Sequence, residues 1–173
     1  MNIQEVIRTL NQMLVDRVVE RYAIGGAVGA TFYLEPVATL DVDVFVTFRA
    51  EAGSVLVNPQ PVFEYLKARG ARIEGEHVII AGWPVQFLPP NSPLVEEALA
   101  QAVEQEVEAI HTHVFTAEHL AAICLQTGRA KDKARLLQFV EANALDFECF
   151  QAIVVRHDLA KAWTKFSDQF LNT

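Results

Sequence analysis

Cysteine is scarce in this chain: Cys124 and Cys149 are the only two in 173 residues, and no C-x-x-C occurs. That excludes a disulfide-built scaffold and a cysteine-rich zinc module. Both cysteines fall in apolar, helix-like stretches, so two reduced thiols in a cytoplasmic protein are expected. Basic charge is also short. Lys and Arg number 14 against 22 Asp and Glu, a formal net charge of -8. A broad grip on nucleic acid backbone is thereby excluded, although a locally basic pocket is not. No uninterrupted apolar run approaches the length that crosses a bilayer. The start, MNIQEVIRTLNQMLVDRVVERY, is charged too often for a signal-peptide core, so no membrane partner is expected. Internal repeats and low-complexity segments are missing. So are the glycine signatures G-x-x-x-x-G-K-[ST] and G-x-G-x-x-G.

What is present is an ordinary globular balance, with 51% hydrophobic and 21% charged residues. The length suits one sizeable core and is short for two full domains. Apolar residues recur at helical spacing over 3–20, predicting a first helix. A short apolar run, Tyr22 to Ile24, stops at Gly25-Gly26, and the small-residue stretch AVGATFYL opens a second helix. Residues 40–48, LDVDVFVTF, alternate with period two and read as a strand. Asn58-Pro59 opens a helix that ends near Gly70. Residues 71–90 read as a meander punctuated by Gly75 and Gly82. Ser92-Pro93 opens a helix carried to Val107, and 108–116 reads as a strand. Helices follow over 117–128 and 131–144, and a third over 146–170 is broken near Arg156–Leu159. The expected architecture is α+β: a mixed sheet flanked by helices over 1–115, with a helical annex over 116–173.

Asp41 and Asp43 carry the chemical signal. At i and i+2 on a strand their carboxylates share a face, about 6.6 Å apart along the backbone. Burying both costs free energy unless a cation sits between them, and oxygen ligands of this kind suit Mg2+ or Mn2+. A solvated acidic edge is the alternative. Gly25-Gly26 can be an ordinary turn or a place where backbone N–H groups meet phosphate. The pairing of the two features within one helix-plus-strand unit is what makes them informative.

The stretch YAIGGAVGATFYLEPVATLDVDVFV, residues 22–46, resembles the nucleotidyltransferase superfamily with a DNA polymerase β-like core. Gly25 and Gly26 fall on its glycine pair, Asp41 and Asp43 on its first two metal-binding carboxylates, and Thr39 where many members have Ser or Thr. Among subfamilies the chain looks most like small bacterial AbiEii-type proteins, some of which are toxins of toxin–antitoxin pairs. The run LQTGRAKDKARL is similar to their Lys-Asp-x-x-Arg helix. The resemblance implies transfer of a nucleoside monophosphate from an NTP to an acceptor, with Mg2+ or Mn2+ and release of pyrophosphate. The acceptor, whether RNA, protein or a small molecule, is not specified, and an antitoxin or other protein partner is a further expectation.

One position departs from the pattern. Gln86 stands where active members place a third carboxylate, and an amide cannot serve as a carboxylate base. Glu74 and Glu76 on the preceding hairpin are candidate replacements. A catalytically weak relative that binds a nucleotide or a protein is therefore the alternative function. Lys131 and Arg135, four apart, share a helix face and can serve phosphate, with Arg129 in the turn before them, Asp132 orienting the group and Lys133 pointing elsewhere. A solvated helix start is the alternative. His111 and His113 read as surface histidines rather than metal ligands. His77, His119 and His157 make no triad with Ser54 or Ser92. Trp83 can stack on a base if it lies at the pocket rim, and Phe147, Phe150, Trp163, Phe166 and Phe170 read as core or interface anchors.

Overall fold

Asn2 caps the first helix through its side chain, which accepts from the Glu5 N–H at 3.3 Å. In this computed structural model, which describes residues 2–36, 38–48 and 58–171, that helix is α1, Ile3–Val15. Ser54 lies outside the described residues. Val6, Ile7, Leu10 and Met13 form the buried stripe of α1. The helix is shorter than its periodicity predicts. Arg17 takes φ 55, Val18 N–H closes onto the Met13 carbonyl at 2.9 Å, and the chain enters strand β1, Val19–Ile24. Val18 and Val19, read as helical from their spacing, are β-branched residues that suit the sheet better.

Among the described residues the sheet has seven strands. After β1 come α2 (Gly26–Ala30), β2 (Val42–Phe48), α3 (Gln60–Ala68), β3 (Arg72–Glu74), β4 (His77–Ile80), β5 (Trp83–Leu88), α4 (Pro93–Ala100), β6 (Val103–Val107) and β7 (Ile110–Val114). Helices α5 (Ala117–Thr127), α6 (Ala130–Glu141), α7 (Phe147–Arg156) and α8 (Ala160–Phe170) complete the chain. The strand order is β3-β4-β5-β2-β1-β7-β6. Strand β2 runs antiparallel to β1 and parallel to β5, and β1 runs parallel to β7, so the sheet is mixed as expected.

Alternation along β2 assigns the two faces. Val42, Val44, Val46 and Phe48 are buried with Val78, Val85 and Phe87 against α1 and α3. Asp43 and Phe45 point the other way, toward α4 and α5, where Ala23, Phe115, Leu120 and Ala121 are buried. The strand begins at Val42 rather than Leu40. Asp41 therefore stands just ahead of it, and Leu40 is 85% exposed.

The helix expected to run to Val107 ends at Ala100. V-E-Q-E-V instead forms the edge strand β6, hairpinned to β7 through Glu108 and Ala109 at φ 47 and 64. Glu106 faces His111 and Glu104 faces His113 across the ladder. The period-two alternation was masked by good helix-forming residues, and a partner strand decided the outcome. The expected break in the last helical segment is present: Asp158 at φ 56 separates α7 from α8. Phe150, Trp163 and Phe166 pack in series across these helices, with centroids 5.0 and 5.8 Å apart.

Candidate functional site

The glycine pair and Asp43 fit each other at close range. Gly25 donates its N–H to the Asp43 carbonyl at 2.9 Å. A Cβ on Gly25 would lie 2.6 Å from Phe45 Cε2, and one on Gly26 would lie 1.9 Å from Asp43 Oδ2. Gly26 also takes φ +57. A side chain at either position would push into β2, and at Gly26 it would displace the carboxylate itself. The N–H of Gly25 is occupied by this sheet contact, so it is not free to meet phosphate as the glycine pair led us to expect.

Asp43 lies in register with Gln86 on the parallel strand β5. Thr39 Oγ1 donates to the Asp41 carbonyl at 3.2 Å and lies 3.4 Å from Asp41 Oδ1, so it steadies the segment leading into β2. His77 Nε2 is 3.7 Å from Asp41 Oδ2. Gln86 Nε2 donates to Glu76 Oε2 at 2.8 Å. Of the two hairpin glutamates, Glu76 is thus beside Gln86, while Glu74 is engaged with Arg72 at 3.4 Å on the edge strand β3.

A cleft of about 1160 Å³ opens between these residues and helices α5 and α6. Gly26, Thr39, Asp41, Asp43 and Gln86 line one side; Arg129, Lys131 and Arg135 line the other. Phe45 and Phe115, 4.8 Å apart, lie at its apolar floor. Gly26, Thr39, Asp41, Asp43, Gln86, Lys131 and Arg135 therefore meet at one cleft, with Gly25 next to Gly26 in the chain, while Glu74, Glu76 and Trp83 do not line it. Arg129 is fixed by the buried Asp132, which takes its Nε at 2.6 Å and the Thr127 hydroxyl at 2.8 Å. Burial would raise the Asp132 pKa, but these hydrogen bonds outweigh it and hold the carboxyl below its ordinary value.

Asp43 behaves oppositely. Burial pushes its pKa up, and the Asp41 charge adds to the rise, against the pull of Lys131, Arg135 and Arg129. Two like charges on one partly buried face are an electrostatic deficit that a cation relieves. Among the described residues no group of three His, Cys, Asp or Glu is placed to hold a metal ion. The donor set at Asp41 and Asp43 fits one hard divalent ion with oxygen ligands, and it lacks a third carboxylate.

Other expectations resolve differently. Trp83 lies on the α1 and α3 side of the sheet, packed against that core, and not at the cleft rim. Residue parity decides this: Trp83 shares its face with Val85 and Phe87, opposite Gln86. His111 is exposed beside Glu104 at 3.1 Å, and His113 packs edge-on to Tyr22 at 5.3 Å. His77 was missed as a neighbour of Asp41. The signal for it is strand register: Val78 pairs with Val85, which carries His77 alongside Gln86.

Two solved structures share this architecture. One is an antigenic nucleotidyltransferase-like protein from Paracoccidioides brasiliensis, with TM-score 0.63 and 12% identity over 95% of this chain and 86% of that one. The fold is nucleotidyltransferase-like. The second is the antibiotic-resistance factor ANT(2'')-Ia, with TM-score 0.55 and 14% identity over 98% of this chain and 99% of that one. No protein-family model and no curated protein matches the sequence. Among the described residues no helix is long and apolar enough to cross a membrane.

Proposed function

We propose that the protein is a metal-dependent nucleotidyltransferase that moves a nucleoside monophosphate from an NTP to an acceptor and releases pyrophosphate. The observation that carries this reading is the cleft itself, with Asp41 and Asp43 facing Arg129, Lys131 and Arg135 across it. Asp41 and Asp43 would hold Mg2+ or Mn2+, whose bound charge neutralises the triphosphate and polarises the reacting phosphoryl group. Lys131 and Arg135 bind the phosphate oxygens that depart as pyrophosphate, and Asp132 keeps Arg129 aimed beside them. Phe45 and Phe115 exclude water from the floor. An acceptor hydroxyl would attack the α-phosphorus, its proton passing to solvent, as the bond from the α-phosphorus to the α–β bridging oxygen breaks and pyrophosphate leaves. On this reading residues 1–115 supply the carboxylates and 116–173 the cations.

The acceptor is an RNA, a protein or a small molecule. The AbiEii-type placement, with an antitoxin or other protein partner and a cytoplasmic setting, is supported by the Lys131-Asp132-x-x-Arg135 run and the two free thiols. A second reading, a weak or inactive relative that binds a nucleotide or a protein, is favoured by Gln86 in place of a carboxylate. Incubation with α-labelled NTPs, Mg2+ or Mn2+, and whole-cell extract separates the two. The enzyme reading expects a labelled acceptor, reduced about 100-fold or more by Asp43→Asn. Nucleotide binding without any labelled product supports the second reading.

A further inference from the structure

The glutamine at position 86 is held in one orientation by a neighbour that accepts hydrogen bonds only. An amide presents a donor on one edge and an acceptor on the other, whereas an ionised carboxylate can only accept. Gln86 Nε2 donates to Glu76 Oε2 at 2.8 Å, so the amide nitrogen is committed to Glu76 and Oε1 occupies the opposite edge. Gln86 lines the cleft and pairs in register with Asp43. Glu76 sits in the Gly75-Glu76 turn between β3 and β4, where Gly75 at φ +62 lets the chain reverse within two residues.

We infer that Glu76 is a positioning residue that keeps the Gln86 oxygen, and not its NH2, turned toward the Asp41–Asp43 side of the cleft. The inference rests on the proposed metal site. Hard divalent cations take oxygen ligands, so a locked Oε1 gives the site a third, neutral oxygen where a carboxylate is missing. The alternative orientation is harmful for a simple reason. Freed from Glu76, the NH2 has another carboxylate close by in Asp43, and donating to it would occupy an oxygen that the cation needs. Glu76 thus removes a competitor as well as presenting a ligand. Hydrogen-bonding partners that orient ligands commonly set metal affinity, by about 10- to 100-fold. The Glu76 contact is solvent-exposed, which puts the expected effect at the low end, about tenfold.

The test is a double-mutant cycle on the whole 173-residue chain with Mn2+ alone, reading free Mn2+ by electron paramagnetic resonance. Glu76→Ala should weaken Mn2+ binding about tenfold in the wild-type background and less than about twofold in a Gln86→Ala background. Glu76→Gln preserves shape and should give an intermediate loss, because an amide partner permits either orientation of Gln86. Equal weakening by Glu76→Ala with and without Gln86 would mean that Glu76 acts only as a nearby negative charge, and would overturn the inference while leaving the metal site standing. No effect of Glu76→Ala in either background overturns it too. Failure of the wild type to take up Mn2+, or uptake unchanged by Asp43→Asn, overturns the metal-site reading and this inference with it.

Discussion

Two carboxylate centres in this molecule are built on opposite electrostatic plans. Glu97 on α4 accepts Arg156 Nη2 at 2.6 Å and Nε at 2.9 Å, and meets His157 Nε2 at 2.8 Å and His119 Nε2 at 3.2 Å. The Arg156 hydrogen bonds lead in lowering its pKa to about 2, overcoming the burial that opposes them. A neutral His119 satisfies both of its partners at once, donating from Nε2 to Glu97 while Nδ1 accepts from Thr116 Oγ1 at 2.7 Å. Asp43 has burial and a second carboxylate instead, and its pKa is pushed up. The first centre spends its charge inside the protein, tying α4 to α5 and α7. The second is only partly offset, by Lys131, Arg135 and Arg129, and faces an open cleft. On the proposed function, stability belongs to the one and ligand binding to the other.

Breaking the satisfied centre should have the largest effect on stability. Glu97→Ala leaves Arg156, His157 and the 2%-exposed His119 without their shared acceptor, and should cost about 3 kcal/mol in urea unfolding at neutral pH. The sign with pH follows from the lowered pKa. The Glu97 contribution is complete above the ordinary value of 4.5 and is lost as pH falls toward about 2, so the variant should show a shallower acid decline than the wild type.

Next in size is Gly26→Ala. A Cβ there collides with Asp43 Oδ2 and must accept φ +57, so about 2 kcal/mol of stability and most Mn2+ binding should be lost together. Loss of stability with metal binding intact would detach the glycine from the site. Lys131→Ala and Arg135→Ala should each raise the NTP dissociation constant about tenfold, with little effect on the melting temperature.

The smallest change has an inverted sign. Asp43→Asn removes a carboxylate whose pKa is raised by burial and by Asp41, so the metal-free protein should become more stable. In the wild type this group costs stability progressively as pH rises from 3.8 through its elevated pKa. Thermal melts of both proteins with excess chelator, from acid to neutral pH, measure the difference.

The readable parts of this structure were local. The D-x-D alternation fixes which face of β2 carries Asp43, and the turn at residues 157–159 follows from its polar break. Gly25 and Gly26 were legible as a pair, although their reason, the close approach of Phe45 and Asp43, depends on strand pairing. Lys131 and Arg135 were legible as one helix face, but that this face overlooks Asp43 is a product of how α5 and α6 pack. The illegible parts were set by strand pairing rather than by local composition. Val103–Val107 is built from residues that suit a helix and becomes a strand because β7 lies beside it. Trp83 turns away from the cleft because β5 pairs with β2 in a register that points Gln86 inward. The meeting of Glu76 with Gln86 spans a hairpin whose register no local pattern reveals.

One titration tests the cation site at Asp41 and Asp43 most directly. Calorimetry of the wild type with each NTP, with and without Mg2+, should detect binding that requires the ion, and the Asp41→Asn/Asp43→Asn double variant should lose it. Equal NTP binding by both proteins, indifferent to Mg2+, would contradict a cation held by Asp41 and Asp43.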